Sequence, residues 1–165
     1  MVNTTPSDLD PLGLSGAEDK MALALDLVNV RLILEPGIAE MAALNATEEA
    51  ILELRCCCER VEERIASGDM YIQDDIAFHT SVARCSGNKV VEQLIPIIDT
   101  AVMMFVNVTH QRLTKETVMT HRAIVDAISD RDPIGAKTAM MMHMTYNRNM
   151  ILKLIREEKE KNHKE

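Results

Sequence analysis

Residues 70–85, Met70-Tyr71-Ile72-Gln73-Asp74-Asp75-Ile76-Ala77-Phe78-His79-Thr80-Ser81-Val82-Ala83-Arg84-Cys85, decide the fold. Ile72, Ile76, Val82 and Ala83 recur at helical spacing and mark the buried face of one helix. Asp75 and His79, four residues apart, project from that same face. Ser86-Gly87-Asn88 stops the helix, and Asn88 is placed to cap another.

Working towards the N-terminus, Ser67-Gly68-Asp69 ends a preceding helix that reaches about Ala66. Thr47 is its expected N-cap, with Glu48 and Glu49 in the first turn, where acids favour the positive end of the helix dipole. A first long helix is expected from Glu18, on the stripe Leu23, Leu27, Val30, Leu34, Ile38, Met41 and Ala42. Pro36 lies inside it and predicts a kink or a break. Towards the C-terminus, a fourth helix is expected from Lys89 to about Arg112, with Pro96 a second candidate kink. A fifth is expected from Lys115 to Ser129. Asp132-Pro133 then supplies an N-cap and a proline at the first helical position, opening a long sixth helix. Its end, Arg156-Glu157-Glu158-Lys159-Glu160-Lys161-Asn162-His163-Lys164-Glu165, is charged on all sides and is expected to fray. No strand pattern and no internal repeat is visible. The reading is all-α, an antiparallel bundle of six to seven helices with short connections.

Composition bounds the alternatives. The chain has 165 residues, enough for one domain with a continuous core and too few to expect two. Residues 1–17, rich in Thr, Ser, Pro, Asp and Gly, read as a linker, and 18–165 as the helical domain. Twelve Met against no Trp, two Tyr and two Phe describe a core suited to helices. The net charge of −8, with no unmatched basic run, argues against direct contact with nucleic acid phosphates and against a polybasic membrane surface. No apolar run reaches the length of a membrane span, and the first residues lack the pattern of a signal peptide, so a soluble, cytoplasmic protein is expected. Cys56, Cys57 and Cys58 are consecutive and point about 100° apart on a helix. With no CxxC pair in the chain, they read as reduced packing thiols rather than a disulfide or zinc framework.

Four side chains carry the chemistry. Besides Asp75 and His79, His121 lies on the stripe Val118, His121, Val125, Ile128, and His143 on the stripe Ala136, Met140, His143, Met150. Three imidazoles and a carboxylate thus point inward from three helices, and a single divalent ion would satisfy all four. Each signal alone has a plainer explanation, a core histidine or a helix-surface pair. His110, on the similar stripe Val102, Met103, Val106, is a rival ligand at this point, while His163 belongs to the tail.

The order of short motifs resembles the FCD domain, the C-terminal effector-binding domain of the FadR subfamily of GntR-type regulators. The matching residues are Arg31-Leu32-Ile33-Leu34-Glu35, Glu40-Met41-Ala42-Ala43, Asp75-Ile76-Ala77-Phe78-His79, Ser86-Gly87-Asn88, His121-Arg122-Ala123-Ile124, Asp132-Pro133 and His143, over residues 20 to about 152. The resemblance implies a divalent metal ion in the bundle centre held by Asp75, His79, His121 and His143, which leaves His110 out. Zinc is the first choice, with nickel, manganese and iron as alternatives. It implies a small carboxylate effector at the ion, a homodimer, and DNA binding only through a winged helix-turn-helix domain that precedes the FCD domain in relatives. Arg31 corresponds to the family's first-helix arginine, so it is a candidate effector-binding residue; an ion pair with Glu35 is the other reading. The opening residues resemble the linker after the wing, so a chain cut at that boundary is expected, with a freestanding sensor domain as the alternative.

There are two departures from the family pattern. Thr120 stands where many relatives have Glu, so an outer partner of the metal site differs. Met103, Met104, Phe105 and Asn107 make the fourth helix rich in Met near the expected pocket, which suggests a partly apolar effector. A binding module rather than an enzyme is expected. A metal-dependent hydrolase or oxygenase on the same three-His one-Asp site is the alternative, disfavoured by the lack of HExxH and of paired Glu-x-x-His motifs.

Overall fold

The computed structural model describes residues 10, 12–14, 16–106 and 112–162, with the backbone alone for 100–106 and 162. Six helices follow in order: α1 (Lys20–Asn45), α2 (Glu48–Ser67), α3 (Ile72–Cys85), α4 (Lys89–Val106), α5 (Thr114–Ser129) and α6 (Pro133–Asn162). There is no strand among the described residues. The arrangement is the expected all-α antiparallel bundle.

The boundaries follow local chemistry. Asp19 caps α1 by accepting from the Ala22 N–H at 2.9 Å. Thr47 caps α2 through the Ala50 N–H at 3.2 Å, and Asn88 caps α4 through the N–H groups of Val90 and Val91. Asp132 takes the Gly135 N–H at 2.9 Å, directly before Pro133. Each cap satisfies donors that a helix cannot satisfy within its own first turn. At the end of α2, Gly68 adopts φ 73° and its N–H reaches back to the carbonyls of Arg64 and Ile65. No atom would obstruct a Cβ there, so only the left-handed backbone penalises a substitution. Gly68→Ala is expected to cost about 1 kcal/mol, read as a lower urea midpoint with an unchanged slope.

Three expectations are revised. Of the kink or break expected at Pro36, the break is absent: α1 runs on as one helix, and the residues about the proline, Glu35, Ile38 and Ala39, are all buried. Tertiary packing along that face outweighs the lost backbone hydrogen bond. The buried face of α1 is also rotated from the apolar stripe, because it contains Ala24, Leu27, Val28, Arg31 and Glu35 while Val30 is 41% and Ile33 78% exposed. A buried ion pair, invisible to an apolar count, turns the helix. Finally, α6 stays helical to Asn162 rather than fraying from Arg156, with Glu157 bridged to Arg112 at 3.1 Å. The expected C-terminal part of the fourth helix, including His110 and Asn107, lies outside the described residues, as do the side chains of Met103, Met104 and Phe105.

α6 packs along α1 and α5, α3 lies between α2 and α4, and α1 touches α3, α4 and α5. The main core joins Ile38, Leu54, Val61, Phe78, Ile95, Ile124, Ile128, Met140 and Met144. A smaller one joins Ala24, Leu27, Val28 and Ile151, where α1 meets the later part of α6. Cys57, Cys58 and Cys85 are buried free thiols, and burial pushes Cys58 up to about 12 and Cys85 up to about 11. These three pack, as expected, and their ionised forms are too costly for a reactive role, whereas Cys56, read with them as a packing thiol, is exposed.

Candidate metal centre

Between these cores sits a polar cluster. Asp75, His79, His121 and His143 are 5%, 2%, 0% and 3% exposed, so α3, α5 and α6 deliver all four side chains to one interior. The imidazoles of His79, His121 and His143 each offer a nitrogen within 4.8 Å of the others. An oxygen of Asp75 lies 3.5 Å from His121 Nε2, and its other oxygen 3.9 Å from His79 Nε2. Both separations are too long for hydrogen bonds. They suit donors sharing one ion: with metal–ligand distances near 2.1 Å, neighbouring donors sit roughly 3.0–4.2 Å apart. The widest nitrogen separation needs only a small inward movement.

The nitrogens facing away have partners of their own. His79 Nδ1 lies 2.6 Å from Glu35 Oε2 on α1, a close but bent contact whose weight is electrostatic. The Glu35 charge favours a proton on Nδ1, and Nε2, on the side of Asp75, has no hydrogen-bond partner among the described residues. His143 Nδ1 lies 2.8 Å from Thr120 Oγ1, and that hydroxyl donates to the Glu116 carbonyl at 2.7 Å. The threonine oxygen therefore accepts from His143 Nδ1–H, leaving Nε2 as the donor atom, with the Asn147 amide at a loose 3.4 Å. Thr120, expected to alter an outer partner of the site, is thus a neutral hydroxyl partner of His143 Nδ1. His121 stacks on Phe78 with ring centroids 3.8 Å apart, which fixes its plane by packing.

The charges are unusual for a core. Arg31 touches Glu35 and lies 3.1 Å from Asp99 on α4, and all three are buried. With Asp75, three carboxylates share one guanidinium, an excess of negative charge away from water. Burial alone would raise Glu35, but Arg31 and His79 outweigh it and hold the carboxyl well below its usual range. Burial would lower His79, but Glu35 outweighs that and raises it. Burial, then the neighbouring rings of His121 and His79, drive His143 well below the usual imidazole value, so its ring is neutral, the form a metal would need. Asp99 is pushed up to about 7 by burial, against the pull of Arg31. A divalent cation would offset the negative excess, and the mixed nitrogen and oxygen donors suit one.

Of the four residues singled out in the sequence as ligands, the three histidines form one mutually close group, and Asp75 lies beside His79 and His121. Arg31 is engaged with carboxylates of the protein, Glu35 among them. Sequence reasoning missed two participants. Glu35 was read only as an ion-pair partner of Arg31, although it also faces His79. Asp99 had a signal that went unread: it is the one charged residue between Glu92 and Arg112 other than His110.

A model of the FCD domain family matches residues 26–146. The uncharacterized HTH-type transcriptional regulator YcbG of Bacillus subtilis is 28% identical over 156 residues, which are 87% of this chain and 63% of that protein. The HTH-type transcriptional repressor NanR of Citrobacter rodentium is 29% identical over 119 residues, 70% of this chain and 46% of NanR. The solved structure of a Streptococcus agalactiae GntR aligns with a TM-score of 0.79 at 31% identity, covering 87% of this chain and 66% of that one. The chain therefore spans less than two thirds of the length of these curated relatives. Their names are those of transcription regulators, which agrees with the sequence reading rather than with its metal-enzyme alternative. With the match covering residues 26–146, through every helix that carries a candidate ligand, the chain belongs to the FCD domain family.

Proposed function

We propose that this chain is the sensing domain of a transcription regulator, in which Asp75, His79, His121 and His143 hold one divalent ion, zinc foremost, that receives a small organic acid. The observation that carries this reading is the two-layered site: three buried imidazoles converge with the Asp75 carboxylate beside two of them, while Glu35 and Thr120 lie against the outward nitrogens of His79 and His143. A bound ion supplies a positive centre whose open positions accept a carboxylate oxygen. The protein fixes the ligands in their tautomers, keeps bulk water out and ties α3, α5 and α6 together. Ligand binding is thereby coupled to the relative position of three helices. In this reading the domain acts as a cytoplasmic homodimer and reaches DNA through a separate domain of the kind the relatives' names describe. Among the described residues no helix is long and apolar enough to cross a membrane.

The test is metal content by plasma mass spectrometry on wild type and on Asp75→Ala and His143→Ala. One ion per chain is expected in wild type, with loss in both variants. Wild-type protein that takes up no metal from excess zinc, nickel or manganese would sink the proposal.

A further inference from the structure

The outer side of α1 carries an apolar stripe that the described residues leave open. Val30, Ile33, Gly37 and Leu44 follow one another at spacings of three, four and seven residues, so they share one side of the helix. Val30, Ile33 and Leu44 are all exposed, Ile33 by 78%. α4 runs beside α1 and antiparallel to it. Arg31 lies 3.1 Å from Asp99 towards one end, and at the other the Asn45 amide donates to the Ser86 carbonyl, just before α4 begins, at 3.0 Å. On α4, Val90, Leu94 and Ile97 form a second exposed stripe. An apolar face of this extent marks a surface that another molecule covers.

Gly37 says what kind of molecule. Glycine weakens a helix interior relative to alanine, and no local need offsets that here. Its φ is not positive, and a Cβ at this position would meet nothing within 4 Å. Pro36 restricts the residue before it, not the one after. The gap at Gly37 therefore serves a neighbour outside the chain, one turn from the protruding Ile33. A neighbour that fits must offer a bulky apolar side chain to Gly37 and a gap to Ile33, and the same stripe offers both. With two copies of α1 crossing antiparallel about a two-fold axis between these positions, each Ile33 meets the other copy's Gly37. Charge points the same way. Two chains of net charge −8 repel, so their contact needs a face without net charge. Between Val30 and Leu44 the charged residues are Arg31 and Glu35, both buried, and Glu40, bridged to Lys137 at 2.7 Å. Between Val90 and Ile97 there is only Glu92, bridged to Lys89 at 2.9 Å. We propose that the outer face of α1, extended by α4, is where a second copy of this chain docks, with Ile33 of each copy packed into the gap at Gly37 of the other. This rests on the homodimer of the function proposed above and gives that dimer its surface.

The test is sedimentation velocity of the full chain over a range of concentrations, on wild type, Ile33→Glu, Gly37→Ala and, on the remote helix α2, the equally exposed Leu52→Glu. Wild type and Leu52→Glu are expected to be dimers of equal affinity. Ile33→Glu should raise the dissociation constant about 100-fold or more, and Gly37→Ala about 10-fold. Gly37→Ala also guards against a folding artefact, because alanine favours the helix and meets no obstruction within the chain. A wild-type dimer that either α1 variant leaves unchanged overturns the inference and keeps the homodimer on some other surface. Equal weakening by Leu52→Glu overturns it as well. A wild type that stays monomeric up to about 100 μM, far above the dissociation constants of stable complexes, removes both this interface and the homodimer. Metal content, measured separately, then decides whether the metal site stands.

Discussion

Saturating the protein with zinc is expected to raise its thermal midpoint by roughly 10 °C over the chelator-treated protein. An ion present at about 1,000 times its dissociation constant stabilises the folded state by roughly 4 kcal/mol. In a chain of this length each kcal/mol is worth about 2–4 °C. The gain follows from the site's composition as well as from mass action. Without a cation, Asp75, Glu35 and Asp99 face one arginine in a buried cluster, and the Nε2 atom of His79 is unpaired. The ion relieves both costs at once. His121→Ala is the decisive control. His121 is wholly buried and stacked on Phe78, so the variant loses stability through packing alone. The quantity to read is therefore the difference between zinc and chelator, which should shrink to a degree or two. An undiminished shift in the variant would mean that zinc binds elsewhere, and no shift in wild type would mean that the cluster binds none.

Local chemistry made most of the fold legible in the sequence. Thr47, Asn88 and Asp132-Pro133 mark helix starts because each satisfies orphan N–H groups by itself, whatever the rest of the chain does. Gly68 marks an end for the equally local reason that it accepts a left-handed backbone. The misread features depended on distant partners. Pro36 would kink or break an isolated helix, but here α1 stays continuous because the residues about it are buried. The rotation of α1 depends on Arg31 and Glu35 being buried against Asp99 and His79, residues 44 or more positions away. The site divides along the same line. His79, His121 and His143 announce themselves as imidazoles on apolar stripes. Glu35 and Asp99 are acids that a pattern count assigns to the surface, and only the packing of α1 against α3 and α4 gives them a buried role. Thr120 was noticed as a departure, but its partner, His143, is 23 residues on and could not be read from its neighbours.

Glu35→Ala is expected to cost about 3–5 kcal/mol, the second large effect. The carboxylate stands between Arg31 and His79, and all three side chains are buried. Removing it leaves the guanidinium with Asp99 and Asp75 as its anionic neighbours and without its hydrogen bond to Glu35, and it frees His79 to change tautomer. Two readouts separate these consequences. Stability, from urea unfolding of the chelated protein, reports the guanidinium's lost partner. Zinc affinity reports the tautomer, and a loss of about 10–100-fold is expected for an outer partner of a histidine ligand. The pH dependence has a definite sign. Glu35 is held below its ordinary value in the folded chain, so its carboxylate stabilises the fold above the unfolded value near 4.5, and this contribution is lost as the pH falls through the lower folded value. The stability gap between wild type and Glu35→Ala should therefore be widest near neutral pH and narrow in acid. Glu35→Gln, which keeps the volume, should recover packing without recovering that pH dependence. A gap that stays constant down to strongly acid pH would show that Glu35 contributes through packing rather than through its charge.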